Sequence, residues 1–356
     1  MTRNRTIVAL VTLALVCVLT GLGLAWWRSA HRSDLDRAVS LMPAGTLRLS
    51  FTDWAGVREE VGSETGSETG TDPDAVRALM DAAFDADLSS VSSVAQSAPA
   101  LQQYYGFSPA TVEWEAFGQS PDGATMAMRL PDDADFDDLA DRLEGLGYAR
   151  PGSDTGIWKG GPDVVAAIDP TLTPEVQYVA LLADQHLVLS SDTTAYLETA
   201  REAATGDADH LSGVDDLVSQ ASDDTDVLAG VVFADDFACT TLAMSQASDE
   251  DQQVAQDLLE DAGKLNPLHG LLVAALPDRR LRVVMGFEND DQAATNADTR
   301  AKLAVGEAPG KGDFADLFSL SGARSDGHDV VLDLRALPGQ YALSALTSGP
   351  VLLETC

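Results

Sequence analysis

Four carboxylates in DADFDDLADRLE (133–144) have a spacing that a divalent cation can use. Asp133, Asp135 and Asp137 take alternate positions and Glu144 falls at the twelfth, the pattern of a helix–loop–helix calcium loop built from oxygen ligands. Asp138, however, stands where such a loop needs glycine for its sharp turn. The apolar face of Phe136, Leu139 and Leu143 also begins inside the supposed loop, at helical spacing. Acids gathered at a helix start are explained by capping and by the positive end of the helix dipole. The spacing therefore predicts a capped helix and no metal, with these four residues as the ligands a calcium site would have to use.

Other chemistry is sparser. GEAPGKG (306–312) has three residues between its first two glycines where a phosphate-binding loop has four, and Gly312 stands where a hydroxyl would hold magnesium. His31, His186, His210, His269 and His328 show no close metal-ligand spacing. The chain has no G-x-S-x-G nucleophile turn and no C-x-x-C pair. Carboxylate pairs for glycoside hydrolysis stay open, because acids are abundant and their separation in space is not legible in the chain. No catalytic or cofactor-binding residue is assigned, and no cofactor is expected. Cys239 and Cys356 are expected to bond if the compartment is oxidising. Closing so long a loop would contribute about 4–5 kcal/mol in the chain-entropy account.

The elements around these residues follow from periodicity. SDLDRAVSLMP (33–43) reads as a short helix capped by Ser33, and TLRLSF (46–51) alternates as a strand. GSETGSETGTDPD (62–74) has no large apolar side chain and reads as a loop. PDAVRALMDAAFDADL restores helical spacing through Val76, Leu79, Met80, Ala83 and Phe84. VEWEAF and ATMAMRL form a hairpin, followed by the helix over 135–147. GIWKGG, VVAAI, VQYVALLA and HLVLSS read as strands, and TTAYLETAREAA as a helix with Asp192 available as cap. The later stretch from LAGVVFA through the hairpin LHGLLVAAL/RLRVVMGF to DVVLDLR repeats the scheme. Short hairpins predict an α+β fold: antiparallel sheet with helices packed on one side, in two similar halves. The expected divisions are 1–30 (stub and anchor), 31–110 (helix, first strand, loop and helical region), 111–222 and 223–356 (the two halves).

Between Thr6 and Trp27 no residue is charged, a run of 22 positions. As a helix it measures about 33 Å, enough to cross a bilayer. Arg3 and Arg5 precede it and Trp26 and Trp27 close it, so the N-terminus is expected in the cytoplasm and the body outside. Cys17 follows Val16, whereas lipid attachment needs a small residue there, so Cys17 reads as a membrane-facing thiol. Gly23-Leu24-Ala25 has the small-x-small form of a signal-peptidase site, which leaves cleavage after Ala25 as the competing reading. The chain carries 57 acids against 22 bases, a formal charge of −35. Such a field repels nucleic acid and anionic membrane surfaces beyond the anchor, and keeps the body soluble.

LMPAGTLRLSFTDWAGVREEVG (41–62) and YYGFSPATVEWEAFGQ (104–119) resemble stretches of uncharacterised single-pass exported proteins of actinobacteria, whose outer domain, of unknown function, starts on a Pro-Ala-small-Thr strand. The resemblance implies a membrane-tethered envelope protein and transfers no catalytic residue.

Taken together, these features predict a non-catalytic, extracytoplasmic binding module held in the cell membrane by residues 6–27. Its partner would be another envelope protein or an apolar small ligand, with no nucleic acid. An envelope hydrolase with a carboxylate site, or a lipid-handling protein, is the alternative. Intact mass of the mature chain tests the anchor: retention of residues 1–25 is expected, and their loss would establish cleavage.

Overall fold

A computed structural model describes residues 32–63 and 72–356. The expected anchor over 6–27, Cys17 within it, and most of the tandem SETG lie outside the described residues. Among the described residues no helix is long and apolar enough to cross a membrane.

Ser33 accepts from the Asp36 amide and starts α1 (Asp34–Leu41), after which the chain turns into β1 (Arg48–Asp53). Asp53 ends that strand and caps α2 (Trp54–Glu60), its Oδ1 accepting from the Gly56 amide at 2.9 Å. A Cβ at position 56 would lie 2.6 Å from the Asp53 carboxylate and 2.7 Å from Leu228, so glycine lets both side chains close over this turn. Asp72 and Pro73 start α3 (Pro73–Asp85) in the usual way, a cap followed by a residue with no amide to satisfy. The hairpin of β2 (Trp114–Ser120) and β3 (Gly123–Arg129) follows, then α4 (Phe136–Gly145) and β4 (Ile157–Lys159). Next come α5 (Pro162–Ile168), a second hairpin of β5 (Tyr178–Leu182) and β6 (Leu187–Ser191), and α6 (Thr194–Thr205). VVAAI, expected as a strand, forms most of α5. Pro162 at its first position sets a helical start that a short apolar run does not reveal.

The same succession then recurs. It runs through α7 (Asp215–Ala221), β7 (Ala229–Ala234), α8 (Phe237–Thr241) and α9 (Asp249–Ala262) to the hairpin of β8 (Gly270–Leu276) and β9 (Arg280–Gly286). After α10 (Asp290–Leu303), a small ribbon pairs β10 (Glu307–Ala308) with β11 (Gly312–Asp313). The hairpin of β12 (Phe318–Asp326) and β13 (Asp329–Ala336) and the short α11 (Ala342–Thr347) complete it.

All the larger strands join one antiparallel sheet of eleven, in the order β12-β13-β9-β8-β7-β1-β2-β3-β6-β5-β4. The fold is therefore α+β on a large antiparallel sheet. In each half a first strand and a hairpin are followed by a helix and by a second hairpin whose last strand returns to pair with the third strand. The halves meet at β1 and β7, from Arg48↔Phe233 to Thr52↔Ala229. Residues 31–110 thus contribute β1, a central strand of the sheet.

Helices cover both faces of the sheet, which corrects the expectation of one. Val231, Phe233, Val273, Val283 and Met285 face a core closed by α2, α4, α9, α10 and α11. Their neighbours Val232, Ala234, Leu272, Ala274 and Val284 face a second core closed by α1, α6 and α7. Successive strand residues point to opposite faces, so strands such as AGVVFA and GLLVAAL, apolar at every position, need cover on both. The two halves differ at their ends: α6 lies on the second face, whereas α11 crosses to the first.

Burial raises the Asp53 carboxyl from its ordinary 3.8 to about 6, against the pull of the Gly56 amide. Ionising it therefore costs stability, nothing below about pH 4 and increasingly as the pH rises through about 6. Asp53→Asn keeps the cap and removes the charge. Urea unfolding is expected to show it up to about 3 kcal/mol more stable at pH 8 and no more stable at pH 3.5.

Candidate functional site

A cavity of about 380 Å3 lies on the first face of the first half. Three elements make it: α2 through Arg58, the irregular segment 102–113, and the 130–139 stretch that ends β3 and starts α4. A π-helical turn over Leu101–Tyr105 opens the irregular segment, a helix form frequent at functional sites. Gly106 closes that turn at φ +86°, its amide donating to Leu101 O at 3.1 Å. The Arg142 guanidinium lies 3.0 Å from where a Cβ would stand, a second reason for glycine there.

Apolar walls come from Phe107, Ala110, Leu130, Ala134 and Leu139. Gln102 is nearly buried, and its Oε1 accepts from Ser108 Oγ at 2.7 Å. Arg58 Nη1 donates to Pro109 O and to Val112 O, each at 2.8 Å, which fixes the irregular segment to α2. Burial lowers the Arg58 guanidinium from its ordinary value, and the nearby Glu113 charge opposes that shift. The arrangement is a half-open apolar cavity with one amide and one guanidinium in its lining and acids among its exposed residues. Such a site can hold and orient a ligand, and nothing in it is built as a nucleophile beside a base.

The carboxylates singled out by spacing are spread around this cavity and α4. Asp133 and Asp135 line the cavity, and Asp137 and Glu144 do not. Asp135 caps α4, accepting from the Asp137 and Asp138 amides at 3.0 and 3.1 Å. Glu144 pairs with Arg150 at 3.1 Å. Among the described residues no group of three or more His, Cys, Asp or Glu is arranged to hold a metal ion. Cys239 and Cys356 form a disulfide in the second half, with Cα atoms 5.5 Å apart. Arg58, Gln102 and Phe107 had no signal in the sequence, because they converge from elements whose separation no motif records.

Acids whose ionisation is disfavoured lie elsewhere. Burial raises Asp53, Asp87 and Asp329 to about 6 each, and Glu115 and Glu354 above their ordinary value. Asp53 caps α2, Asp87 sits beneath the start of α11 and Asp329 opens β13. Glu115 accepts from Trp54 Nε1 at 2.9 Å and from the Ser93 amide at 2.8 Å inside the core. No two of these five line one of the described cavities.

No family model matches the chain, and no curated protein matches it in sequence. Among solved structures it is similar to crystal forms I and III of TP0453, with 6% and 7% identity and a TM-score of 0.41 for each. Both superpositions cover 87% of this chain and 96% of that one.

A cap and a metal ligand respond differently to substitution. Asp135→Ala is expected to lower stability by about 1 kcal/mol through the lost cap. Thermal unfolding should give the same loss with and without excess calcium, and calorimetry should give no calcium heat for either chain.

Proposed function

We propose that this chain is a membrane-anchored, extracytoplasmic, non-catalytic binding module of the cell envelope, and that it takes a small apolar ligand in the cavity between α2, segment 102–113 and α4. The cavity carries this reading. Its volume lies in the range of small-molecule sites, and its lining joins apolar walls to a few polar groups that would orient a ligand. Residues 6–27 supply the anchor, and the Cys239–Cys356 bond suits an oxidising compartment. The acidic remainder of the chain keeps the body soluble and excludes nucleic acid as a partner. A hydrolase would want two carboxyl groups with opposed environments in one cleft. The dispersal of Asp53, Asp87 and Asp329 favours binding over hydrolysis.

N-phenyl-1-naphthylamine, an apolar dye that fluoresces on leaving water, is the probe. The intact chain is expected to bind it saturably. Ala134→Trp, on the partly exposed cavity wall, should weaken binding roughly tenfold, equivalent to about 1.4 kcal/mol. Unchanged affinity in that variant would move the ligand site elsewhere.

A further inference from the structure

Among the described residues only three large apolar side chains stand exposed: Phe84, Val305 and Tyr341. Two of them touch. The rings of Phe84 and Tyr341 lie 5.2 Å apart, although they are 56% and 40% exposed. Helical spacing predicts Phe84 on the buried face of α3, and it stands instead at the end of that helix, facing out. Next to the pair, and lined by its chain neighbours Asp85 and Gln340, is a hollow of about 120 Å3 whose apolar lining includes Leu228, Leu276, Leu281 and Leu343. It is too small for an independent ligand of ordinary size.

The location of this patch along the strands matters more than its size. β1 ends at Asp53, whose amide donates to Leu228 O, and the 277–279 turn between β8 and β9 lies at the same end of the sheet. Asp53 and Val227 also line a small cavity with Arg32 and Ser33, where the described chain starts. The polypeptide running back toward Trp27 therefore leaves from the sheet end that carries the aromatic pair. Four residues lie between Trp27 and Arg32, and the five Cα steps between the two reach at most about 18 Å when fully extended. The opposite end, with the β2–β3 turn at Asp122, lies about 24 Å away along a seven-residue strand.

Chemistry at this end fits a lipid headgroup region. Aromatic rings concentrate at membrane interfaces, where one edge is wet and the other apolar. Arg279 and Arg335 are exposed beside the hollow, and their Nη1 atoms donate to Ala336 O and to Asp278 O. Each guanidinium keeps further N–H groups that suit phosphate oxygens. Glu60, Asp85 and Asp278 share this rim, so it is mixed in charge, and the arginines supply local positive groups in a chain whose formal charge is −35.

We infer that the Phe84–Tyr341 pair, flanked by Arg279 and Arg335, is a membrane-contact surface that seats this end of the sheet on the bilayer crossed by residues 6–27. The inference rests on the anchor proposed above and adds an orientation to it. The test uses the full chain in phosphatidylcholine–phosphatidylglycerol nanodiscs containing a gadolinium-chelate lipid. A trifluoromethyl-phenylalanine replaces Phe84 in one sample and Asp122 in another, both exposed positions that leave the cores alone. Fluorine relaxation is expected to be enhanced roughly fivefold or more at 84 relative to 122, given the strand length between the two ends. Equal enhancement at both positions in a disc-bound chain would overturn the contact surface and leave the anchor standing. A chain that does not stay with the discs would overturn the anchor, and the contact with it. Broadening at 84 that needs two chains per disc and no gadolinium would assign the patch to a second copy and overturn the inference.

Discussion

Five residue pairs between β1 and β7, from Arg48↔Phe233 to Thr52↔Ala229, make one sheet out of two similar arrangements. Both strands are central, buried on both faces, and each is hydrogen-bonded to its own half on the other side. A sheet apolar on both faces must be covered twice, and the two helical layers follow from that need. The layers also fix the local turns. Trp54, fully buried at the start of α2, brings its indole N–H to Glu115 in the neighbouring strand, and Glu115 in turn holds the Ser93 amide. A buried carboxylate is costly unless its oxygens are occupied, so this contact ties the helix, the strand and the 88–97 segment into one register.

Much of the fold was legible because period-two and helical patterns are local. The hairpins at 114–129 and 270–286 and the capped starts at Ser33 and Asp135 appear where alternation and capping residues indicated. Small shifts arise where two residues compete for one role. Thr193, not Asp192, caps α6, its Oγ1 accepting from the Tyr196 amide. VVAAI shows the limit of short apolar runs, which fit a strand and a buried helix equally until Pro162 decides. Double-sided cover was also written in AGVVFA and GLLVAAL, where no polar residue alternates, but a prior for one-sided antiparallel sheets obscured it.

The cavity was not legible, and the reason is geometric. Arg58 comes from α2, Gln102 from the π-helical turn and Leu139 from α4, and only the sheet brings them together. The acids that did attract attention by spacing serve mainly to cap and charge α4. Leu130, on the cavity wall, directly follows Arg129, which pairs with Trp114 near the sheet end marked by Asp53. The cavity and the contact surface inferred above therefore share one end of the sheet.

The crossing of α11 to the opposite face separates what the two halves can carry. Two identical halves paired through their first strands would have to keep every feature in duplicate. Two halves within one polypeptide carry no such requirement, because a change in one is not forced on the other. The halves differ accordingly: the cavity between α2, segment 102–113 and α4 is in one, the disulfide is in the other, and the last helix of each lies on a different side. A substitution that reshapes the cavity in one half can then leave the cross-link in the other in place.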